Sequence, residues 1–255
     1  MKLLFWLSGE NIDLGKEEII ALTNKKCKND GRVVLVDTKP FSFERLAYTK
    51  KVCKFLFSCK KENLVEKIKK FNFEKYYNGS FCVRKNGKLG LGERDLAAYV
   101  WKKLKKPRVE LENPKTQFEF FSGEKKIYCG ILIKNVGKGF SFRRPHLRPG
   151  FHPASLNPKI ARVMVNLTGI KKGQTLLDPF CGVGGILIEA ALIGCNVVGV
   201  DIDRKMLYKA RRNLEFFSIK KYKLIEEDAT KIKIKSKFIA TDPPYGRSSS
   251  LHKRK

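Results

Sequence analysis

The chain has 255 residues, 42% hydrophobic and 31% charged, enough apolar material for one large domain or two to three small ones around a sizeable core. No apolar run approaches the ~18 residues of a membrane span, and the KLLFWL stretch after Met1 is too short for a secretory h-region, so the expectation is a cytosolic protein without membrane attachment. Fifty-four Lys and Arg against 25 Asp and Glu leave a charge of +29, which favours a polyanionic partner through counterion release. The seven cysteines contain no C-x-x-C pair and the three histidines are scattered; reduced thiols and no metal site are expected.

The first half alternates strand and helix signals. KLLFWLS reads as a strand, and Asp13 is the expected cap of a helix over LGKEEIIALT. RVVLVDT is a β-branched strand, SFERLAYTK a short helix and VCKFLFS a strand. NLVEKIKKF then places Leu64, Val65, Ile68 and Phe71 on one helical face. Between Lys50 and Lys75 lysines outnumber glutamates nine to three, interleaved with Phe55, Phe57, Phe71 and Phe73, which read as core before they read as base-stacking platforms. A strand, SFCVRK, precedes the helix GERDLAAYVWKKLKK, stopped by Pro107, with Leu96, Val100 and Leu104 inward and lysines outward. Two strands, TQFEFFSG and KKIYCGILIKNV, close this half.

GKGFSFRRPHLRPGFHPASLNP, dense in Pro, Gly and Arg, has the composition of a linker. Its Arg143, Arg144 and Arg148 are read as either solvated or in contact with phosphates. The helix PKIARVMVNLTG follows, with Ile160, Val163, Met164 and Leu167 at helical spacing and Gly169 as its stop.

Chemistry concentrates after Gln174. QTLLDPFCGVGGILIEAALIGCNVVGVD is a buried strand, a glycine turn, an apolar helix and a second strand ending in an acid: a βαβ unit whose turn lies where open α/β sheets bind ligands. Gly182 and Gly184 let the backbone approach a ligand. A dinucleotide fingerprint fails because Leu187 stands where its third glycine belongs. Asp178, at the first strand end, would repel a pyrophosphate and attract an amine-bearing ligand; S-adenosylmethionine, with a sulfonium, an α-amino group and no phosphate, suits it. Asp201 is then placed for ribose hydroxyls. A helix over residues 203–217, with Met206, Leu207, Ala210 and Leu214 inward, leads to the strand YKLIEE and to Asp228 and Ala229, read as an adenine contact or a turn cap. KFIATDPPYG is the fourth strand, with Asp242, Pro243, Pro244 and Tyr245 at its carboxyl end. The four aspartates are therefore expected along one edge of one sheet.

Asp-Pro-Pro-Tyr downstream of an Asp-x-x-x-Gly-x-Gly turn resembles class I methyltransferases that modify exocyclic or amide nitrogens. With RRPHLRPGFHPASLNPKIARVMVNLTG, LLDPFCGVGGILIEAALIG and TDPPYGRSSS in this order, the chain resembles the archaeal-type tRNA guanine-10 N2-methyltransferases. That resemblance implies an α/β chain: a ferredoxin-like domain (1–60), a THUMP RNA-binding domain (61–142), a linker (143–158) and a Rossmann-like class I methyltransferase domain (159–255). It implies S-adenosylmethionine as cofactor, held by Asp178, Phe180, Cys181, Gly182, Gly184, Asp201, Ile202, Asp228 and Ala229. It also implies a tRNA partner, sometimes with a small activating subunit. In the same resemblance the Asp242 carboxylate and Pro243 carbonyl accept hydrogen bonds from the NH2 group, Pro244 stiffens the turn, and Tyr245 stacks on the base. No basic group is placed to make Cys181 a nucleophile. Class I sheets run to three more strands beyond the fourth, so an incomplete sheet with an open edge and doubtful activity is expected. A DNA adenine-N6 or other amino methyltransferase, and a noncatalytic tRNA-binding protein, are the alternatives.

Overall fold

Eleven strands and six α-helices form among residues 1–137 and 139–244, the residues described in the computed structural model. They divide into two units: Met1–Lys16, Thr23–Glu44 and Tyr48–Gly137 form the first; Glu17–Leu22, Arg45–Ala47 and the described residues after 138 form the second.

The first unit is built on β1 (Lys2–Leu7), β2 (Lys28–Asp30), β3 (Val33–Asp37), β4 (Thr49–Lys60), β5 (Phe81–Asn86), β6 (Thr116–Ser122) and β7 (Lys126–Asn135). These make one seven-stranded sheet in the order β2-β3-β1-β4-β7-β6-β5. Only the β5–β6 pair is parallel. β4 pairs with β1 along one side and β7 along the other, so the strands of residues 1–60 and of 61–142 share this sheet. The helices α2 (Leu64–Lys70) and α3 (Glu93–Trp101) bury Leu64, Ile68, Leu96 and Val100 with Phe57, Phe73, Phe81, Phe118 and Phe120. Burial of Phe57 and Phe73 puts these two rings in the core rather than on an RNA platform.

Three expectations shift. The helix α1 (Ile12–Thr23) starts one residue before Asp13, and its cap is Asn11, whose Oδ1 accepts from the Leu14 amide at 2.9 Å. SFERLAYTK makes no α-helix: only Phe43–Arg45 turn as 3-10, and Thr49 already opens β4. Leu46, Ala47, Tyr48 and Thr49 are all buried, and four successive burials cannot lie on one helical face. α3 ends at Trp101, five residues before the expected end at Lys106.

The second unit contains α4 (Pro158–Leu167), β8 (Thr175–Asp178), α5 (Gly185–Leu192), β9 (Asn196–Asp201), α6 (Arg204–Phe216), β10 (Tyr222–Glu226) and β11 (Phe238–Ile239). Its strands form a wholly parallel sheet, β10-β9-β8-β11. The chain steps outward from β8 to β10, then returns to the other side of β8. That reversal is the topological switch point of a doubly wound sheet.

α4 is rotated from its expected orientation. Ala161, Arg162, Val165 and Asn166 face inward with Val163, while Ile160 and Leu167 are 39% and 44% exposed. Polar residues occupy the buried stripe because each has a buried partner. The Arg162 guanidinium meets the Glu189 carboxylate of α5 at 2.8 Å, and Asn166 Nδ2 donates to Glu18 Oε1 at 2.7 Å. Arg143 completes the cluster at 2.7 Å from Glu189, and Arg148, 4% exposed, donates from Nε and Nη2 to the Arg143 carbonyl. Neither solvation nor phosphate contact therefore describes Arg143 and Arg148: they are internal ties, and the linker-like composition reflects a coil folded onto its own unit.

Candidate active site

Parallel strands deliver Asp178, Asp201 and Asp228 to the carboxyl edge of the sheet, and β11 delivers Thr241 and Asp242 beside Asp178, with the Ala240 amide bonded to the Leu177 carbonyl at 3.2 Å. The expected line of four acids is thus present along one edge, and the β8–β11 crevice is where ligands enter such sheets. Asp242 is half-buried, Pro243 and Pro244 are exposed, and Tyr245 lies outside the described residues.

The turn after β8 is held from several directions. Gly182 and Gly184 take φ of +51° and +82°, a conformation strained for side-chain-bearing residues. The Cys181 amide donates to the Val200 carbonyl at 2.9 Å and the Gly184 amide to the Cys181 carbonyl at 2.8 Å. Asp201 accepts the Gly182 amide on one carboxylate oxygen at 2.8 Å and the Asp203 amide on the other at 2.9 Å. One carboxylate thereby sets the glycine turn and the start of α6 together. Each oxygen retains lone-pair capacity for a further donor.

Asp178 is more deeply buried than Asp201. It is 1% exposed and accepts the Phe180 amide at 3.2 Å. Its pKa is raised to about 7, chiefly by burial; the Thr241 hydroxyl and the Phe180 amide offset part of the rise, and the Asp201 and Asp242 carboxylates add to it. A site that crowds carboxylates together in this way is prepared for a cationic group. At the same edge Phe180 and Ile202, 39% and 61% exposed, offer apolar faces. Asp228 Oδ1 accepts the amide and hydroxyl of Thr230 at 2.9 and 2.7 Å, so its turn-capping role is visible in the structure. Ala229 is half-buried beside it. The Cys181 thiol is 5% exposed and burial pushes it far above the ordinary thiol range, which keeps it protonated and poorly nucleophilic.

Gly199, inside β9, escaped the sequence reading. A Cβ there would stand 2.5 Å from Leu187 Cδ1 and 2.9 Å from Cys181 Sγ. In a dinucleotide-binding unit the third glycine of the turn lets helix and strand approach closely. Here Leu187 fills that helix position and is fully buried, and the missing volume is supplied from the strand. A lone glycine within an otherwise β-branched strand was the available signal. Gly199→Ala should overpack this contact and lower stability by about 2 kcal/mol. Thermal melting and calorimetry check it; a wild-type melting temperature would refute the packing argument.

Residues 145–255 match the UPF0020 family, described as RMKL-like, methyltransferase domain. The chain is 38% identical over 214 residues to a tRNA (guanine(10)-N2)-dimethyltransferase of Methanothermobacter thermautotrophicus, covering 81% of this chain and 64% of the relative. It is 37% identical over 205 residues to the enzyme of the same name from Pyrococcus abyssi, covering 74% of this chain and 60% of the relative. The chain therefore spans less than two thirds of the length of either relative. Among solved structures it resembles TrmN from Thermus thermophilus, with TM-score 0.52, 20% identity and coverage of 96% and 80%, which bears on fold alone. A possible methylase from Clostridium difficile matches similarly, with TM-score 0.55, 21% identity and coverage of 96% and 81%.

Proposed function

We propose, for a chain whose residues 145–255 match the UPF0020 family of RMKL-like methyltransferase domains, the methylation of the exocyclic N2 of a guanine in tRNA, at position 10, to the mono- and then the dimethyl form. The observation that carries this reading is the pairing, across one switch point, of a carboxylate-lined glycine turn with the Asp242–Pro243 segment. The residues fit S-adenosylmethionine: Asp178 would hold its ammonium, Asp201 the ribose hydroxyls, Asp228 and Ala229 the adenine edge, and Phe180 and Ile202 its apolar surface, with Cys181, Gly182 and Gly184 as the cradle. The cofactor supplies an electrophilic methyl group on its sulfonium.

The chain's own task is to aim the amine. An exocyclic NH2 delocalises its lone pair into the ring, and the Asp242 carboxylate with the Pro243 carbonyl, both acceptors, favour a more tetrahedral nitrogen whose lone pair points at the donor. Pro244 stiffens the segment and Tyr245 stacks on the base. Residues 1–60 and 61–142 serve as ferredoxin-like and THUMP portions that grip RNA by shape and phosphates, in a cytoplasmic protein, with room for a small activating subunit. The guanine is turned out of its stack to reach the crevice.

The deciding experiment incubates the protein with labelled cofactor and a tRNA transcript, followed by nucleoside analysis. N2-methylguanosine and its dimethyl form are expected; label in N6-methyladenosine of duplex DNA would favour the DNA enzyme, and no cofactor binding by calorimetry would favour a noncatalytic RNA-binding protein.

A further inference from the structure

The charges along α6 are strongly one-sided. Over Arg204–Phe216 there are five cations, Arg204, Lys205, Lys209, Arg211 and Arg212, and one acid, Glu215. Asp203 caps the helix, its carboxylate accepting the Lys205 amide at 2.7 Å; behind it the first turn carries Arg204 and Lys205 and no acid, and the last turn carries Glu215 and no base. A helix macrodipole disfavours both placements, and like charges at helical spacing repel. The few available counter-charges are thin: Arg204 lies 3.9 Å from Glu226, with both side chains largely in solvent, and Glu215 is turned toward the Tyr222 hydroxyl at 3.2 Å. In the middle of this cationic surface stands Tyr208, 64% exposed, with the Arg212 guanidinium 6.0 Å from its ring centre.

The opposite face of α6 is fixed to the site. Asn213, fully buried, donates to the Val183 carbonyl of the glycine turn at 2.9 Å and to the Gly150 carbonyl at 3.1 Å, and accepts the Gly150 amide at 2.7 Å. A Cβ on Gly184 would sit 3.4 Å from the Ala210 Cβ, so the helix lies directly against the turn. Whatever binds the outer face is thereby held in constant register with the cofactor cradle.

We propose that the outer face of α6 is a second RNA contact, carried by the methyltransferase domain itself: Lys205, Arg211 and Arg212 take backbone phosphates and Tyr208 stacks on an unpaired base near the target nucleotide. The inference rests on the reading that the substrate is RNA. Cations on an anchored helix, with an exposed ring among them, match the combination by which single-stranded segments are held, phosphate neutralisation plus base stacking. An anionic backbone laid on this face would offset the repulsion among these cations.

The test uses the 255-residue chain as Lys205→Glu/Arg212→Glu, Tyr208→Ala and Tyr208→Phe variants, with filter binding to a tRNA transcript across a salt series and calorimetry with S-adenosylmethionine. The charge reversal should weaken tRNA binding about tenfold or more and reduce the slope of log affinity against log salt by about two. Tyr208→Ala should weaken it several-fold while Tyr208→Phe binds as wild type, since stacking needs the ring and not the hydroxyl; cofactor affinity should stay unchanged throughout. Full tRNA affinity in the double variant beside a wild type that binds overturns the α6 assignment alone. So does a loss of binding to anionic vesicles or polyglutamate without a loss for tRNA. A wild type that binds cofactor but no tRNA overturns the substrate reading and this inference with it.

Discussion

Asp178→Asn should leave the folded chain more stable than wild type at pH 8 and reduce S-adenosylmethionine affinity at least ~100-fold, two effects of one substitution with opposite value to the protein. Asp178 is buried, and its pKa is raised from 3.8 to about 7, chiefly by burial. A carboxyl whose folded pKa exceeds its unfolded one binds more protons in the native state between those values, so its contribution to stability is intact below about pH 4 and is lost as pH rises through about 7. Three pKa units correspond to at most about 4 kcal/mol, and relaxation of neighbours and water entry bring the expected gain from Asn to about 1–3 kcal/mol at pH 8. Its side-chain oxygen can still accept the Phe180 amide, so the local turn survives. Under the proposed reading the cofactor's ammonium, by contrast, would lose its counter-charge. Melting temperatures between pH 4 and 8 and calorimetry test both halves; an Asn variant that is less stable at pH 8 with wild-type pH dependence would sink the electrostatic account.

The same contrast explains which parts of the molecule sequence made legible. The βαβ unit could be read because periodicity, two glycines and an acid at the strand end all point the same way within 28 residues, Gln174 to Asp201. α4 could not be read correctly, because its inward stripe depends on Glu189 and Glu18, residues distant in sequence whose buried carboxylates turn Arg162 and Asn166 inward. Arg143 and Arg148 were opaque for the same reason: an arginine in a Pro- and Gly-rich coil carries no local sign that a buried partner awaits it. Asp201 was legible as an acid at a strand end, but its grip on the Gly182 and Asp203 amides appears only when the turn is folded against β9. β2, three residues long, has no periodicity to detect. Gly199 is visible in sequence, yet its meaning requires the positions of Leu187 and Cys181.

Under the proposed reading, Asp242→Ala should lower methyl transfer by 10²-fold or more while leaving cofactor binding intact or slightly tighter. The first half follows from geometry: Asp242 comes three residues after the end of β11, across the switch point from Asp178, and removing a charged acceptor leaves the Pro243 carbonyl alone to orient the amine. The second half follows from electrostatics. Asp242 is among the charges that raise the Asp178 pKa, so its removal lets Asp178 ionise at lower pH and present its full charge to the cofactor ammonium over a wider range. Asp242→Asn separates the two roles, because its amide oxygen still accepts a hydrogen bond but its NH2 opposes the incoming amine; an intermediate rate is expected. Single-turnover transfer to tRNA, measured beside calorimetric cofactor affinity at pH 6 and pH 8, distinguishes these outcomes. Equal loss of transfer and cofactor binding would mean that Asp242 supports the cradle rather than the amine, and wild-type transfer in the Ala variant would remove it from the reaction.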